Sequence, residues 1–317
     1  MATIMQRSLY ESAGRIVSTT AGVVLGGVLS MPGPAFPQEA AAPLILTPVL
    51  ELPEPPPPDD FVILLGRPAD PARYPVSFRL AVSPSEVCTW FLVAARVLVT
   101  AAHCVRRSTA ITIKTRSAPG STPPELSYNG NCQAAPRYPA DKSMDWALCL
   151  LDLSFPLPND PRIKAVGYEK LNTHADQLAR GQSIEITGFG CRSTGGIVSD
   201  VYMVGTAAVA KLPPGVDTLG VTDPTPNYIE IQGDPSILCA GDSGGPAFLV
   251  NQAESSGNLR TVIGINSRTV NRDGLSVGYL ASASTEDVLA WIRRWAKDNG
   301  QRICGVHADA RGCRPSG

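Results

Sequence analysis

Three short segments carry residue types that together could perform nucleophilic catalysis. Residues 100–104 read Thr-Ala-Ala-His-Cys, residues 145–148 read Asp-Trp-Ala-Leu, and residues 241–246 read Gly-Asp-Ser-Gly-Gly-Pro. A serine hydroxyl is a poor nucleophile until a neighbouring base takes its proton, and that base needs a group that fixes its tautomer and stabilises its charge. Ser243, His103 and Asp145 are the three residue types that this chemistry requires.

The glycines on both sides of Ser243 suit a tight turn in which backbone N–H groups converge on a developing oxyanion. We expect Gly241 and Ser243 to supply those donors. Each feature has another interpretation when it is taken alone: a structural or solvated histidine, a turn carboxylate, and a flexible glycine turn. The chain order His, Asp, Ser, with cysteines at set offsets from His103 and Ser243, favours the catalytic interpretation.

Composition argues against several other classes of function. The 27 basic and 28 acidic side chains give a net charge of −1, so no charge excess points to nucleic acid or to an anionic membrane. The histidines at His103, His174 and His307 lack the spacing of metal ligands, and we expect the last two to be exposed. No glycine-rich phosphate loop is present, so we expect neither a metal nor an organic cofactor.

The cysteines form an even set of eight without a CxxC pair, which favours disulfides over a zinc or redox motif. Disulfides persist outside the reducing cytosol, so the N-terminus should carry an export signal. Residues 1–35 fit one, because Arg7 and Arg15 precede an uncharged apolar run over residues 16–30 and small residues follow. We therefore expect a secreted or periplasmic protein.

The apolar run is shorter than the roughly 18 residues that a membrane-spanning helix needs, so we expect no stable membrane insertion after signal cleavage. A membrane anchor is the alternative interpretation. Cleavage after Ala35 and cleavage within residues 40–42 both fit the small-residue rule. Residues 36–60 are rich in proline, which favours extended polyproline conformation and indicates a linker or a pro-segment.

From residue 61 to about residue 280, short runs rich in Val, Ile and Thr alternate with breakers, which predicts an all-β fold of the barrel or sandwich type. A helix is predicted over residues 284–299, with a capping box at Ser284 and Asp287 and a stop at Gly300. Its apolar residues recur on one helical face. They are Val288, Trp291, Ile292 and Trp295.

The motifs around His103 and Ser243 resemble, without substitution, those of the chymotrypsin-like (trypsin-fold) serine proteases. The likeness runs from about residue 63 to about residue 298. It implies two six-stranded antiparallel barrels, over about 61–165 and 180–283, followed by the helix and a tail over 299–317. It also implies a serine endopeptidase that hydrolyses protein or peptide substrates through an acyl-enzyme intermediate. We expect a monomer.

The resemblance also assigns positions to the candidate site residues. His103 and Asp145 would lie on the first barrel and Ser243 on the second, with the active site in the cleft between the barrels. Ser267, on the strand after the candidate nucleophile, would support Asp145 and border the substrate channel.

Substrate preference in this family depends on residues that correspond here to Ile237, Thr269 and Val277, together with Ser267. An isoleucine cannot pair with a substrate Arg or Lys, and a buried unpaired charge costs several kcal/mol. Thr269 and Val277 would narrow the pocket where the family often has glycine. The resemblance therefore implies a small apolar P1 residue, such as Ala or Val, rather than a basic one.

The resemblance also guides the disulfide pairing. Cys88 with Cys104 matches the family bridge that closes the loop of the catalytic histidine, and Cys191 is the better partner for Cys239, whose usual partner is missing. Of the remaining cysteines, one pair would clamp the strand that holds Asp145, and the other pair lies in the tail. These pairs are Cys132 with Cys149 and Cys304 with Cys313. This is one of 105 possible connectivities of eight cysteines.

The resemblance also concerns activation. In the family, a new N-terminus pairs with the aspartate beside the nucleophile, which is Asp242 here, and Ile63 aligns with the family's start. Val62 precedes it instead of a basic residue, so a tryptic cut is unsupported there. The alternative function is a catalytically silent binding module on the same fold, with its pocket occluded. The narrowed pocket and the lack of a basic residue before Ile63 are the observations in favour of this alternative.

Overall fold

The computed structural model describes residues 42–52, 66–83, 86–106, 108–116, 125–156, 166–191, 198–214, 227–233, 238–250, 260–272, 275–307 and 313. The expected signal peptide, Ile63 and Ile237 lie outside the described residues. In chain order the elements are β1 (Leu44–Pro48), β2 (Arg67–Pro68), β3 (Ser77–Ser83), β4 (Glu86–Ala94), β5 (Val97–Thr100), β6 (Ala110–Arg116), β7 (Glu125–Ala134), β8 (Ala147–Leu151), β9 (Ser183–Gly188), β10 (Met203–Lys211), β11 (Tyr228–Gly233), β12 (Pro246–Val250), β13 (Arg260–Arg272), β14 (Leu275–Ser282) and α1 (Glu286–Asp298).

The first barrel closes in the strand order β1-β3-β4-β5-β8-β7-β6. Its centre is formed by β4 and β5, whose residues are buried almost without exception. Such continuous apolar runs suit strands that are covered on both faces. The two strands pair antiparallel through Phe91 with Val99 and Leu92 with Leu98. This places the end of β5, and the histidine that follows it, at one rim of the barrel.

The first barrel has seven strands rather than the expected six, because β1 lies between β3 and β6. Leu46 pairs with Leu80 of antiparallel β3 and with Ile113 of parallel β6. The expected boundary at residue 61 therefore lies too late, since the barrel already includes residues 44–48. The physical reason is that residues 44–47 contain no proline and keep every backbone donor, whereas most of the prolines that indicated a linker come after Pro48.

The second barrel contains six strands in the order β11-β14-β13-β12-β9-β10, and it closes because β11 also pairs with β10. The short strand β2 adds to β10 beside them. Its interior is aliphatic, with Ile184, Ile186, Ile229, Ile263 and Leu280 all buried. The expectation of an all-β fold with two barrels is thus confirmed.

A buried ion pair joins Glu169, in the segment that connects the two barrels, to Arg260, at the start of β13 in the second barrel. Arg260 Nη2 lies 2.7 Å from Glu169 Oε1, and both side chains are almost completely buried. The guanidinium carbon also lies 4.2 Å from the centre of the Tyr74 ring and 4.6 Å from that of Phe248. Because a buried charge is tolerated only when it is paired, this contact holds the connecting segment in one position.

Helix α1 packs its predicted apolar stripe into the core, and all four residues of that stripe are buried. It begins at Glu286, after Thr285, so the expected capping box at Ser284 and Asp287 is wrong. The N–H of Ser284 instead donates to Ser282 Oγ, and the Asp287 carboxylate pairs with Arg137 at 2.7 Å. Ser284 and Asp287 therefore bond to other residues, and the reciprocal cap between them does not form.

Four disulfides use all eight cysteines. They join Cys88 with Cys104, Cys132 with Cys149, Cys191 with Cys239, and Cys304 with Cys313. The first crosses from β4 to the turn that carries His103. In the described part of the chain, no helix has the length and apolar character needed to cross a membrane.

Candidate active site

His103 lies on a short 3-10 turn, Ala102–Val105, that follows β5. The disulfide between Cys104 and Cys88 fixes this turn to β4. The N–H of Ala102 also donates to the carbonyl of Asp145 at 3.2 Å. Covalent and backbone contacts together therefore place the imidazole beside the segment that carries the candidate carboxylate.

Asp145 follows a second 3-10 turn, Lys142–Met144, directly before β8. Its Oδ1 accepts the backbone N–H of His103 at 3.0 Å, and its Oδ2 lies 2.7 Å from His103 Nδ1. The Asp145 side chain is 3% exposed and that of His103 is 24% exposed. Since a carboxylate can only accept, Nδ1 carries the proton of this bond, and Nε2 is left to take a proton from a hydroxyl.

Ser267, on β13, adds a third hydrogen bond to the same carboxylate. Its Oγ donates to Asp145 Oδ2 at 2.6 Å. Ser267 is itself buried, so this bond lies away from solvent. The contact crosses from the second barrel to the first and holds Asp145 between His103 and Ser267.

Tyr228, on β11, was not found by sequence reasoning. Its hydroxyl donates to the carbonyl of Lys142 at 2.7 Å and lies 3.2 Å from Ser267 Oγ. Burial raises the pKa of Tyr228, so the phenol keeps its proton at neutral pH. No motif marks this residue, because its role depends on how β11, β13 and the turn before Asp145 come together.

Ser243 lies in a turn whose shape requires glycine. Gly241 and Gly244 adopt φ values of 102° and 80°, which L side chains rarely adopt. A Cβ added at Gly244 would collide with the Thr100 hydroxyl and the Thr89 carbonyl. The Thr89 N–H donates to the carbonyl of Ser243 at 2.8 Å, which anchors the turn to β4.

The backbone donors of this turn divide into two groups. The N–H groups of Asp242, Gly244 and Gly245 donate to protein carbonyls. Within the described residues, the N–H groups of Gly241 and Ser243 have no protein acceptor. Unpaired N–H groups beside a hydroxyl are what an oxyanion needs.

His103, Gly241 and Ser243 line one cleft of about 510 Å³. Among the described residues, the Ser243 hydroxyl makes no hydrogen bond to His103. Catalytic hydrogen bonds often tighten only when substrate binds, so this geometry is compatible with proton transfer between the two side chains.

Asp242, beside Ser243, is completely buried. Its carboxylate accepts the N–H groups of Gly190 at 2.7 Å and of Cys239 at 2.9 Å. A Cβ at Gly188 or Gly190 would collide with this side chain, so the two glycines form its pocket. Burial raises the pKa of Asp242 to about 7. No cationic side chain pairs with it in the part of the chain that the structure describes.

The expected pocket residues do not all share one face. Thr269 pairs with Gly278 across β13 and β14, whereas Val277 pairs with Val270 one position further along. Because side chains alternate along a strand, Thr269 and Val277 point to opposite faces of this hairpin. Thr269 is exposed, and Val277 is 2% exposed.

Arg268, directly after Ser267, was also missed by sequence reasoning. Its guanidinium carbon lies 5.2 Å from the centre of the Tyr228 ring and 5.4 Å from that of Tyr279. Its Nε and Nη2 atoms are buried and have no hydrogen-bond partner among the described residues. Positive charge thus lies on the strand that carries Ser267.

A model of the family described as Trypsin matches residues 63–292 of this chain. Serine protease SP24D of Anopheles gambiae is 26% identical over 243 residues, which cover 73% of this chain and 80% of that protein. Trypsin of Phaedon cochleariae is 26% identical over 202 residues, which cover 60% of this chain and 75% of that protein. With the two barrels and these matches, the chain belongs to the trypsin family of serine endopeptidases.

Proposed function

We propose that this protein is a secreted endopeptidase in which Ser243, His103 and Asp145 act as the catalytic triad. The observation that carries the proposal is the Asp145 carboxylate, which contacts both the backbone N–H and Nδ1 of His103. That contact orients the imidazole and stabilises the charge that it gains when it accepts a proton.

In the first half of the proposed reaction, Ser243 Oγ attacks the carbonyl carbon of the scissile peptide bond while His103 Nε2 takes the hydroxyl proton. The carbonyl oxygen becomes an oxyanion, which the N–H groups of Gly241 and Ser243 bind. The intermediate then collapses, the C–N bond breaks, and His103 gives its proton to the leaving amine. Ser243 is left as an ester of the acyl fragment.

In the second half, water enters where the amine has left. His103 Nε2 takes a proton from this water, whose oxygen attacks the ester carbonyl, and the same N–H groups bind the second oxyanion. The C–O bond to Ser243 breaks, and the proton on His103 returns to Ser243 Oγ. The enzyme is regenerated, and the products are a carboxylic acid and an amine.

For substrate preference we propose a small apolar P1 residue, with Ser267 and Thr269 at the pocket. Ile237 completes the proposed set, whereas Val277 is left out because it is buried on the opposite face of the hairpin from Thr269. None of the three remaining side chains carries a negative charge. Arg268 adds positive charge beside Ser267, which further disfavours a basic substrate residue by like-charge repulsion.

The proposal of export rests on residues 1–35 and on the four disulfides, which persist in secreted or periplasmic proteins. We propose that a cut before Ile63 would supply an amine for the Asp242 carboxylate. The buried carboxylate between two glycines supports that role, because it lacks a cationic partner among the described residues.

The test is labelling of the purified, oxidised protein with a fluorophosphonate, before and after limited proteolysis of residues 36–62. Labelling that Ser243→Ala abolishes would support the triad, and labelling only after proteolysis would support activation by cleavage. If the correctly disulfide-bonded protein is never labelled, the silent binding module is the better interpretation. A series of peptides that differ only in the P1 residue tests the proposed substrate preference. Fastest cleavage after Arg or Lys would contradict the preference for a small apolar residue.

A further inference from the structure

The N-terminal strand β1 reaches the cleft that His103 and Ser243 share. Leu44, the first residue of β1, lines this cleft of about 510 Å³ together with Arg106 and the disulfide between Cys88 and Cys104. Leu44 is half-buried and packs against the apolar core of the barrels, so part of its side chain remains open to the cleft. The region matched by the Trypsin family begins at residue 63, so β1 precedes it.

The position of His103 identifies which part of a substrate would lie in this cleft. His103 must give its proton to the leaving amine, so the leaving fragment has to lie on the imidazole side of Ser243. Ser243, His103 and Leu44 all line this cleft. The described residues proposed for the P1 pocket, Ser267 and Thr269, do not line it. It therefore lies on the leaving-group side of the scissile bond.

The contacts of β1 do not depend on an intact connection to the residues after it. Its backbone pairs with β3 on one side and β6 on the other. Leu46 and, just after the strand, Val49 are buried in the core. A cut before Ile63 breaks none of these contacts, so residues 44–49 would stay in place after activation.

We propose that β1 is a lasting part of the mature enzyme and that Leu44 forms a subsite for an apolar substrate residue on the C-terminal side of the scissile bond. This inference rests on the proposed function, because it requires a leaving amine at His103. The ligand that it specifies is an aliphatic side chain at the first or second position after the cleaved bond.

The test uses the full chain after cleavage before Ile63, with quenched fluorescent peptides that are identical before the scissile bond and carry Leu, Ala or Glu at the two positions after it. We expect the unsubstituted enzyme to prefer Leu. Leu44→Ala should lower kcat/KM for the Leu peptide about tenfold, since one lost aliphatic contact changes discrimination by about that factor. Leu44→Met should retain the preference, because it conserves apolar volume.

Ile45→Ala is the matched control. Ile45 is the next residue of β1, is 49% exposed and does not line the cleft, so its substitution should leave the preference unchanged. An unchanged preference in Leu44→Ala, or an equal loss in Ile45→Ala, would overturn the inference.

Two further measurements separate this inference from the proposed function. A fluorophosphonate needs no residue beyond the scissile bond, so Leu44→Ala should be labelled at Ser243 at the unsubstituted rate. Failure to label the unsubstituted protein both before and after cleavage would overturn the proposed function, whereas normal labelling with no change in preference would overturn only the role of Leu44. After cleavage before Ile63, residues 44–52 should co-elute with the enzyme on a sizing column without denaturant. Loss of that peptide with activity and preference retained would also contradict the inference.

Discussion

Ser267 Oγ donates a 2.6 Å hydrogen bond to the same Asp145 oxygen that lies 2.7 Å from His103 Nδ1. One carboxylate oxygen is thus shared by side chains from both barrels. The strength of the contact with His103 depends on how firmly Ser267 holds that oxygen.

Ser267→Ala should lower kcat about tenfold without abolishing activity. The lost hydrogen bond ends on a charged group, where such bonds are worth about 1.5–3 kcal/mol, but Asp145 keeps both contacts with His103. Ser267→Thr keeps the hydroxyl and serves as the control. An alanine variant with an unchanged kcat would contradict the prediction.

Tyr228→Phe should reduce the free energy of unfolding by about 1 kcal/mol, because the carbonyl of Lys142 loses its donor. Urea denaturation would show this as a lower midpoint with an unchanged slope. The matched control is Tyr138→Phe, since the Tyr138 hydroxyl makes no hydrogen bond within the described residues. Equal effects of the two substitutions would show that the bond to Lys142 does not matter.

The uncut protein should lose stability between about pH 4 and pH 7 through Asp242. Burial raises the pKa of this carboxyl from 3.8 to about 7, so between these values the folded state holds a proton that the unfolded state has released. The contribution of Asp242 to the free energy of unfolding is therefore fully present below about pH 4. It is lost as pH rises to about 7, and it does not change further above that pH. Asp242→Asn should flatten this part of the stability profile.

Denaturation midpoints of the two proteins over pH 4–8 provide the measurement. A parallel pH dependence in Asp242→Asn would contradict the assignment. In a protein cut before Ile63, an amine that pairs with Asp242 would keep the carboxylate charged and remove the dependence, so the same experiment reports on activation.

Gly244→Ala should destabilise the protein more than Gly181→Ala does. Both glycines have a φ near 80°, so both substitutions introduce backbone strain of about 1–2 kcal/mol. A Cβ at Gly181 meets open space, whereas one at Gly244 collides with Thr89 and Thr100. The excess loss at Gly244, measured by urea denaturation, isolates that collision. Fluorophosphonate labelling should be lost only in Gly244→Ala, and equal labelling of both variants would contradict this.

The sequence was sufficient to predict the family and the two barrels, but not the contacts that surround the candidate site residues. Motifs around His103 and Ser243 are local, so their geometry could be expected from the family that they resemble. Tyr228 and Arg268 act through neighbours on other strands, and their roles depend on strand register that no local pattern encodes.

The error at β1 had a different cause. Residues 36–60 are rich in proline as a whole, which predicts a linker, but most of these prolines follow Pro48. The short segment before Pro48 can therefore pair with a strand on each side. Similarly, the capping box at Ser284 and Asp287 was predicted from neighbouring residues alone. In the structure Asp287 forms an ion pair with Arg137, which follows β7 and is distant in sequence.

The place of β1 between β3 and β6 has a consequence for aggregation. A chain that began at residue 61 would leave both neighbouring strands with unpaired edges, each with a row of free N–H and C=O groups. Such edges recruit strands from other molecules, and the best match available is β1 of an intact copy. Mixtures of full-length and shortened chains would therefore exchange this strand, and preparations of the shortened chain alone would precipitate.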